Sequence, residues 1–255
     1  DAQNSLRLMM GAGAPPHLFT PFEERFGLRL VEGYGMSEIG VPLNNSISLR
    51  RPGSCGRELP EYEVRLVDDE GVEVGPDTPG ELLVRPKLFD SMMTEYYRMP
   101  EKTVEAWQGL WFHTGDYLKR DADGYFYFVD RKKDALRRRG ENISSFELER
   151  SVNDYPAVRE SAAVAVASDL GEDEVMICVV PKDGAHVEPL DLLRHCVGRM
   201  ARFMVPRYIR VLEALPKTPT ERVQKFELRA AGVTADTYDR EGDPAWADMV
   251  RENAS

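Results

Sequence analysis

The chain is short of cysteine and histidine and has no long apolar run, and each shortage excludes a class of protein. Its three cysteines, Cys55, Cys178 and Cys196, are odd in number and far apart, and no two form CxxC. That excludes a disulfide scaffold and argues against a cysteine-rich zinc site. The four histidines, His17, His113, His186 and His195, show no HExxH spacing. No apolar stretch approaches the ~20 residues of a membrane helix, so no transmembrane segment is expected, and no secretory signal pattern is present. Positive charge is in the minority, with 33 Lys and Arg against 44 Asp and Glu and a formal net charge of -11. Such a chain repels phosphate backbones overall, which argues against nucleic-acid binding but leaves room for a small anion in a local basic pocket. The commonest phosphate-binding signatures are missing as well. There is no GxxxxGKS or GxxxxGKT, Gly33-Tyr34-Gly35 lacks the third glycine of GxGxxG, and there is no GxSxG.

What is present is an ordinary globular composition, 255 residues with 42% hydrophobic and 30% charged. At about 100–200 residues per domain this suggests two domains. Residues 6–10 read as a buried strand and 11–16 as a turn. Residues 17–26 read as a helix with Leu18, Phe22 and Phe26 on one face and Gly27 as its left-handed stop. Residues 28–32 return as a strand. A strand–helix–strand unit favours a parallel sheet, with ligands at the carboxyl ends of its strands. Residues 52–130 change to short alternating strands joined by turns, an antiparallel β subdomain. A basic stretch, 131–139, leads to a marked helix start. There Ser144 and Glu147 spell a capping box, Ile143 can staple to Leu148, and Pro156 enforces the stop. Strands are expected at 161–167, 175–180 and 207–212. A helix stripe of Leu190, Leu193, Val197 and Met200 and a last helix over 223–231, ended by Gly232, complete an α+β half. The tail after Thr234 is polar and expected to fray.

Several short motifs follow in order. They are Gly11-Ala12-Gly13-Ala14-Pro15, Tyr34-Gly35-Met36-Ser37-Glu38, Gly80-Glu81-Leu82, Tyr97-Arg98-Met99-Pro100-Glu101-Lys102-Thr103, Trp111-Phe112-His113-Thr114-Gly115-Asp116, Asp130-Arg131-Lys132-Lys133-Asp134, Gly140-Glu141-Asn142-Ile143 and Pro216-Lys217-Thr218-Pro219-Thr220. Taken singly, each is more often structural: a plain turn, a strand-end aromatic, a solvated loop carboxylate. In this order they resemble the adenylate-forming enzymes, which include acyl-CoA synthetases, adenylation domains of peptide synthetases, and luciferases. The resemblance covers nearly the whole chain to about residue 231. Its Gly-Glu-Asn-Ile and Pro-Thr-Glu-x-Val-Gln-Lys wording is most like acyl-CoA ligases, including the carnitine/crotonobetaine-CoA ligase type.

The resemblance implies an α/β plus α+β protein. Residues 1–132 would be the C-terminal remainder of a large AMP-binding domain, with the strand–helix–strand unit and the antiparallel β subdomain. Residues 133–255 would be a small mobile α+β domain swinging about a hinge at Lys133. It also implies ATP, Mg²⁺ and coenzyme A as ligands, a small-molecule carboxylic acid as substrate, and a cytoplasmic location by cofactor logic and reduced thiols. By the same resemblance, Gly13, Ala14 and Pro15 let backbone approach the nucleotide and acyl group. Tyr34 offers a flat ring to adenine, and Gly35 and Met36 shape the backbone beside the acyl pocket. Ser37 hydrogen-bonds phosphate, and Glu38 holds Mg²⁺, a hard cation suited to carboxylate oxygen. Asp116 accepts the ribose hydroxyls, and Arg131 donates from the other side. Residues 137–140, including Gly140, face the thiol tunnel, and Phe203 and Arg207 meet the adenine and phosphates of coenzyme A. Two other readings stand beside this one: an adenylation domain that loads a carrier protein, and a non-catalytic nucleotide-binding relative.

Two departures qualify the family pattern. The family's Ser/Thr/Gly-rich phosphate loop has no counterpart here, nor does much of the acyl pocket. The chain is therefore expected to be the C-terminal part of a larger ligase whose N-terminal part is its missing partner. By itself it is expected to bind ATP weakly and to catalyse no adenylation. A pyrophosphate-exchange assay on the 255-residue polypeptide should show no robust turnover, and robust turnover overturns that expectation. The second departure is Glu221-Arg222 where the family carries Gly-Lys, its adenylation lysine. Arg222 keeps the charge but not the compact ammonium. Lys225, three residues on, would share a helix face with it if the segment is helical, so either residue is a candidate for the catalytic cation.

Overall fold

The computed structural model of the protein describes residues 1–14, 16–138, 141–167 and 173–252. The chain divides into two compact units, Asp1–Lys132 and Lys133–Ser255. No helix among the described residues is long and apolar enough to cross a membrane.

The first unit opens with β1 (Leu8–Gly11), α1 (Phe19–Phe26) and β2 (Arg29–Met36). β1 and β2 pair in parallel, with Gly11 opposite Glu32, as the strand–helix–strand pattern requires. Gly27 ends α1 at φ 67°, its N–H donating to the Glu23 carbonyl. The helix keeps Phe22 and Phe26 on its inward side, but that face begins at Phe19 rather than Leu18. Phe19 is buried, Leu18 is exposed, and Phe22 and Phe26 are half-buried. A 3-10 turn at Pro16–Leu18 precedes the helix, and its tighter winding shifts which residues face inward. β1 is exposed along its length rather than buried. Among the described residues it is an edge strand, paired only with β2.

β2 runs past the expected end at residue 32 and turns at 37–39 into β3 (Gly40–Asn44), which pairs with β4 (Arg57–Glu58). Gly35 makes this hairpin possible, because a Cβ there would collide with the Gly40 carbonyl oxygen. The rest of the unit is the expected antiparallel subdomain. β5 (Tyr62–Val67) and β6 (Gly80–Pro86) are followed by α2 (Pro100–Ala106), β7 (Trp107–Gln108), β8 (Trp111–Arg120) and β9 (Phe126–Arg131). The order is β5-β6-β8-β7, with β9 also pairing with β8. Tyr34, Ile39 and Leu43 from the first sheet share a core with Leu82, Val84, Phe112, Leu118 and Phe126 from the second.

The second unit begins with the hairpin β10 (Leu136–Arg138) and β11 (Glu141–Ile143). Then come α3 (Ser145–Asn153), β12 (Val158–Ala167), β13 (Asp173–Pro181) and α4 (Pro189–Val197). β14 (Tyr208–Val211), α5 (Lys225–Ala231), β15 (Tyr238–Asp239) and α6 (Pro244–Glu252) complete it. The sheet order is β12-β13-β14-β15. β13 is covered on both faces. Val175, Ile177 and Val179 enter one core, and Met176, Cys178 and Val180 enter the other. A strand buried on both sides reads as a continuous apolar run, which is how it looks in the sequence. On α4 the fully buried residues are Leu192, Leu193 and Cys196, while Leu190 and Val197 are only partly buried.

Ser144 caps α3 as expected, its hydroxyl accepting the Glu147 N–H at 3.1 Å, and Ile143 and Leu148 are both buried in one core. Ser144→Ala is expected to cost ~1 kcal/mol, the usual worth of an N-cap, read as a drop of a few degrees in the melting temperature. An unchanged melt would mean that the cap contributes nothing.

Through residue 252 the tail is docked, because its few apolar residues are spaced to pack. Trp246 packs against the same core that buries Met249, and Tyr238 joins them. Arg240 is buried, donates to the Val205 carbonyl at 2.8 Å and lies 4.6 Å from the centre of the Trp246 ring. Average polarity hid a packed segment.

Candidate functional site

The first unit gathers its motif residues near the carboxyl ends of β1 and β2. β2 carries Tyr34 into the core, and the Tyr34 hydroxyl donates to Asp116 Oδ2 at 2.6 Å, across 82 residues of sequence. Both side chains belong to residues only 8% exposed. Burial first, and then the Asp116 charge, push the Tyr34 phenol well above its usual range, so it is a neutral donor. The ring itself is core; it is the hydroxyl that reaches the site. Asp116 on β8 stands opposite Arg131 on β9, and Arg131 Nε lies 3.8 Å from Asp116 Oδ1. A carboxylate held between a phenol and a guanidinium in this way is a preorganised acceptor.

Thr114-Gly115-Asp116 is not a turn. It is an irregular stretch inside β8, where the register against β6 shifts. Thr114 Oγ1 donates to the Leu82 carbonyl at 2.8 Å and accepts the Asp116 N–H at 3.1 Å. Gly115 takes φ 68°, and its N–H donates to Glu81 Oε1 at 3.2 Å. Lys132 Nζ donates to the other oxygen of Glu81 at 3.1 Å. Glu81 thus joins this candidate cluster, though sequence reasoning gave it no role, and Gly-Glu-Leu was its only signal.

Ser37 and Glu38 sit in the turn after β2. Ser37 is exposed on that turn and Glu38 is half-buried. Glu38 Oε1 accepts the Tyr96 hydroxyl at 3.1 Å, and its carbonyl accepts the Met93 N–H at 2.7 Å. Burial, and then Glu38, raise the Tyr96 phenol. Met36 packs at the edge of the shared core. Among the described residues no group of three His, Cys, Asp or Glu side chains could hold a metal unaided. A lone carboxylate does suit Mg²⁺ shared with substrate phosphates, which is its usual mode. In the loop after β1, Gly13 has φ 70°, and the Ala14 N–H donates to Glu32 Oε1 at 2.7 Å. Pro15 lies outside the described residues.

In the second unit, Lys133 is exposed, and its carbonyl accepts Arg229 Nη1 at 3.0 Å. The same guanidinium pairs with Asp134 at 3.2 Å. Gly140 lies outside the described residues. Arg138, expected to face a tunnel, is interior. Its Nη1 donates to the Phe203 carbonyl at 3.1 Å, and its Nε sits 2.7 Å from Glu174 Oε2. Phe203 is partly exposed. Arg207 donates to both oxygens of Asp239, at 3.1 and 3.0 Å, and lies 3.2 Å from Glu241. These hydrogen bonds raise it further above an already high value, and a phosphate would have to displace two carboxylates to reach it.

The two candidate cations have different surroundings. Residues 218–222 form a tight turn. The Arg222 carbonyl accepts the Thr218 N–H at 2.8 Å, Thr218 Oγ1 accepts the Arg222 N–H at 3.1 Å, and Glu221 sits at φ 61°. Arg222 is exposed, and its guanidinium has no ion-pair partner among the described residues. Lys225 starts α5, so the two share no helix face. Its side chain is 14% exposed, 2.7 Å from Glu149 Oε1, and donates to Ser145 Oγ at 2.7 Å.

A buried tyrosine–aspartate pair with the exposed Arg131 alongside, followed by an α+β unit, is what the motif order led one to expect. Residues 1–97 match the model of the AMP-binding enzyme family and residues 147–222 that of the AMP-binding enzyme C-terminal domain, and the chain belongs to this family. It is 33% identical over 227 residues to a 3-hydroxybenzoate–CoA ligase of Aromatoleum sp. (strain CIB), covering 87% of this chain and 43% of the relative. It is 32% identical over 211 residues to a crotonobetaine/carnitine–CoA ligase of Salmonella heidelberg (strain SL476), covering 82% and 41%. Among solved structures, the anthranilate CoA ligase AuaEII in complex with anthranoyl-AMP aligns with a TM-score of 0.78 at 30% identity, over 89% of this chain and 44% of that one. The chain spans less than half the length of these relatives. Asp116, Arg131 and Lys133 fall between the two matched segments.

Proposed function

We propose that the chain contributes the ribose-binding part and the smaller mobile unit of an ATP-dependent acyl-CoA ligase. In that reaction a carboxylate oxygen bonds to the α-phosphorus of ATP as the bond to pyrophosphate breaks. The sulfur of coenzyme A then bonds to the acyl carbon, loses its proton to solvent, and AMP leaves with the electron pair. The observation that carries the reading is the Tyr34–Asp116 hydrogen bond with Arg131 alongside. It fixes a buried carboxylate whose oxygens suit a pair of vicinal hydroxyls. The Gly13–Ala14 backbone allows the nucleotide to approach closely, and the exposed Ser37 hydroxyl offers it a donor. Glu38 would hold Mg²⁺, which when bound supplies positive charge to the phosphates. Lys133 is the pivot between half-reactions. Arg222, exposed on its turn, is the cation for charge developing at the carboxylate and α-phosphate. Lys225 is a structural residue. The cysteines are buried or half-buried and unpaired, with Cys55 and Cys196 each pushed up to about 12 by burial; reduced thiols suit a cytoplasmic setting.

The test is calorimetric titration of AMP and of a non-hydrolysable acyl-adenylate analogue onto the chain, followed by an assay of CoA-dependent AMP release in the ligase that contains it. Binding of both, abolished by Asp116→Ala, is the expected result. No binding of either removes the reading. Binding without AMP release favours a non-catalytic relative.

A further inference from the structure

We propose that Glu32 is the positioning residue that sets the nucleotide loop, clamping the Gly13–Ala14 backbone onto the turn at Gly53. This rests on the nucleotide reading above. Glu32 is 4% exposed. Its Oε1 accepts the Ala14 N–H at 2.7 Å, and its Oε2 accepts the Gly53 N–H at 3.0 Å. Its carbonyl accepts both the backbone N–H and the side-chain amide of Asn45, each at 3.0 Å. One strand residue thus holds two loops and the neck of the β2–β3 hairpin.

The Gly53 turn lies against the far end of the same loop. Gly53 sits at φ 80°, and a Cβ on it would come 2.6 Å from Pro16 Cγ. The near end leaves β1 at Gly11, which is in register with Glu32. The loop is therefore fixed at its start by the strand, at its middle by Oε1 and at its end by the turn that Oε2 holds.

No cation pairs with Glu32 among the described residues. The titratable group that feels its charge is the Cys55 thiol, which burial keeps neutral. Burial also raises the Glu32 carboxyl above its ordinary value, against the two N–H groups that lower it. An unpaired buried carboxylate is costly. Here the ionised form is the one that accepts two N–H bonds at once, and protonation turns one acceptor oxygen into a hydroxyl.

The experiment is a pH titration of backbone amide shifts in the intact chain, paired with AMP binding. In the wild type, the Ala14 and Gly53 amides should titrate together, with one midpoint above the ordinary glutamate range, and AMP affinity should fall as pH drops through that midpoint. Glu32→Gln keeps the shape but turns an amide NH₂ toward an N–H donor. It should abolish the shared titration, flatten the pH dependence and weaken AMP about tenfold, the usual scale for one hydrogen bond to a charged group. In the ligase that contains the chain, KM for ATP should rise by a similar factor with kcat little changed. A merely structural role would lower the melting temperature without a KM shift or a flattened pH profile.

Wild-type amides with separate midpoints, or a Glu32→Gln chain that binds AMP as tightly as wild type, overturn the proposal. The wild-type titration tests the clamp even if the variant does not fold. A wild-type chain that does not bind AMP overturns the nucleotide reading and the clamp's function with it. That failure is distinguishable because the shared midpoint would persist.

Discussion

Replacing Asp116 with alanine is expected to abolish AMP binding and loosen the first unit in one step. The carboxylate is the acceptor for the Tyr34 hydroxyl, on a residue only 8% exposed. Removing it strands a buried donor, which costs about 1–3 kcal/mol. It also removes the acceptor proposed for the ribose hydroxyls, whose charge-assisted bonds contribute about 1.5–3 kcal/mol each, or at least tenfold in affinity for each. Asp116→Asn separates the effects. Its amide oxygen still accepts from Tyr34, so the melting temperature should hold while AMP affinity falls about 10–100-fold. Tyr34→Phe removes the donor and leaves Asp116 beside Arg131, so it should weaken binding less than either Asp116 change. Thermal melts and calorimetry on the three variants give the order, and an Asp116→Ala chain that binds AMP like wild type refutes the site.

Arg222→Ala and Lys225→Ala are expected to fail in opposite ways. Arg222 is exposed on a turn, so its loss should leave the melting temperature within about 1 °C, since surface changes away from special features usually stay near zero. In the proposed full-length ligase, the same change should lower the adenylation rate about 10²–10³-fold, the scale of one removed transition-state donor. Arg222→Lys should retain most of the activity. Lys225 is held by Glu149 and Ser145 at 2.7 Å each. Its truncation leaves a mostly buried carboxylate without its cation and should cost about 2–4 kcal/mol, with adenylation per folded molecule nearly unchanged. If Lys225→Ala instead abolishes adenylation in a stable protein, the assignments exchange.

The contrast between these two residues shows where sequence reasoning stopped. Position and charge type made Arg222 and Lys225 equal candidates. What separates them is α3, which presents Glu149 and Ser145 to Lys225 from some 80 residues earlier in the chain. The same holds for Arg138, expected to face the thiol tunnel and found interior against Glu174. Charge pattern names the ion but not its partner. Glu32 went unassigned for the related reason that its carboxylate bonds run to the backbone N–H groups of Ala14 and Gly53, and Glu81 in part because one of its oxygens takes the Gly115 N–H; a backbone donor leaves no mark in a motif.

Local physics was legible where it is self-contained. The left-handed stop at Gly27, the Ser144 cap, the apolar strand of β13 and the alternation at the start of β5 each depend on a few neighbouring residues. Propensity, capping and period therefore settled them before any tertiary contact was known. The motif order named the family for the same reason, since it is a property of the string. Tertiary structure alone decided that Tyr34 and Asp116 meet, that the tail packs on Trp246 and Met249, and which arginines are buried. Those outcomes turn on contacts between distant segments, where desolvation and hydrogen-bond supply depend on what packs alongside.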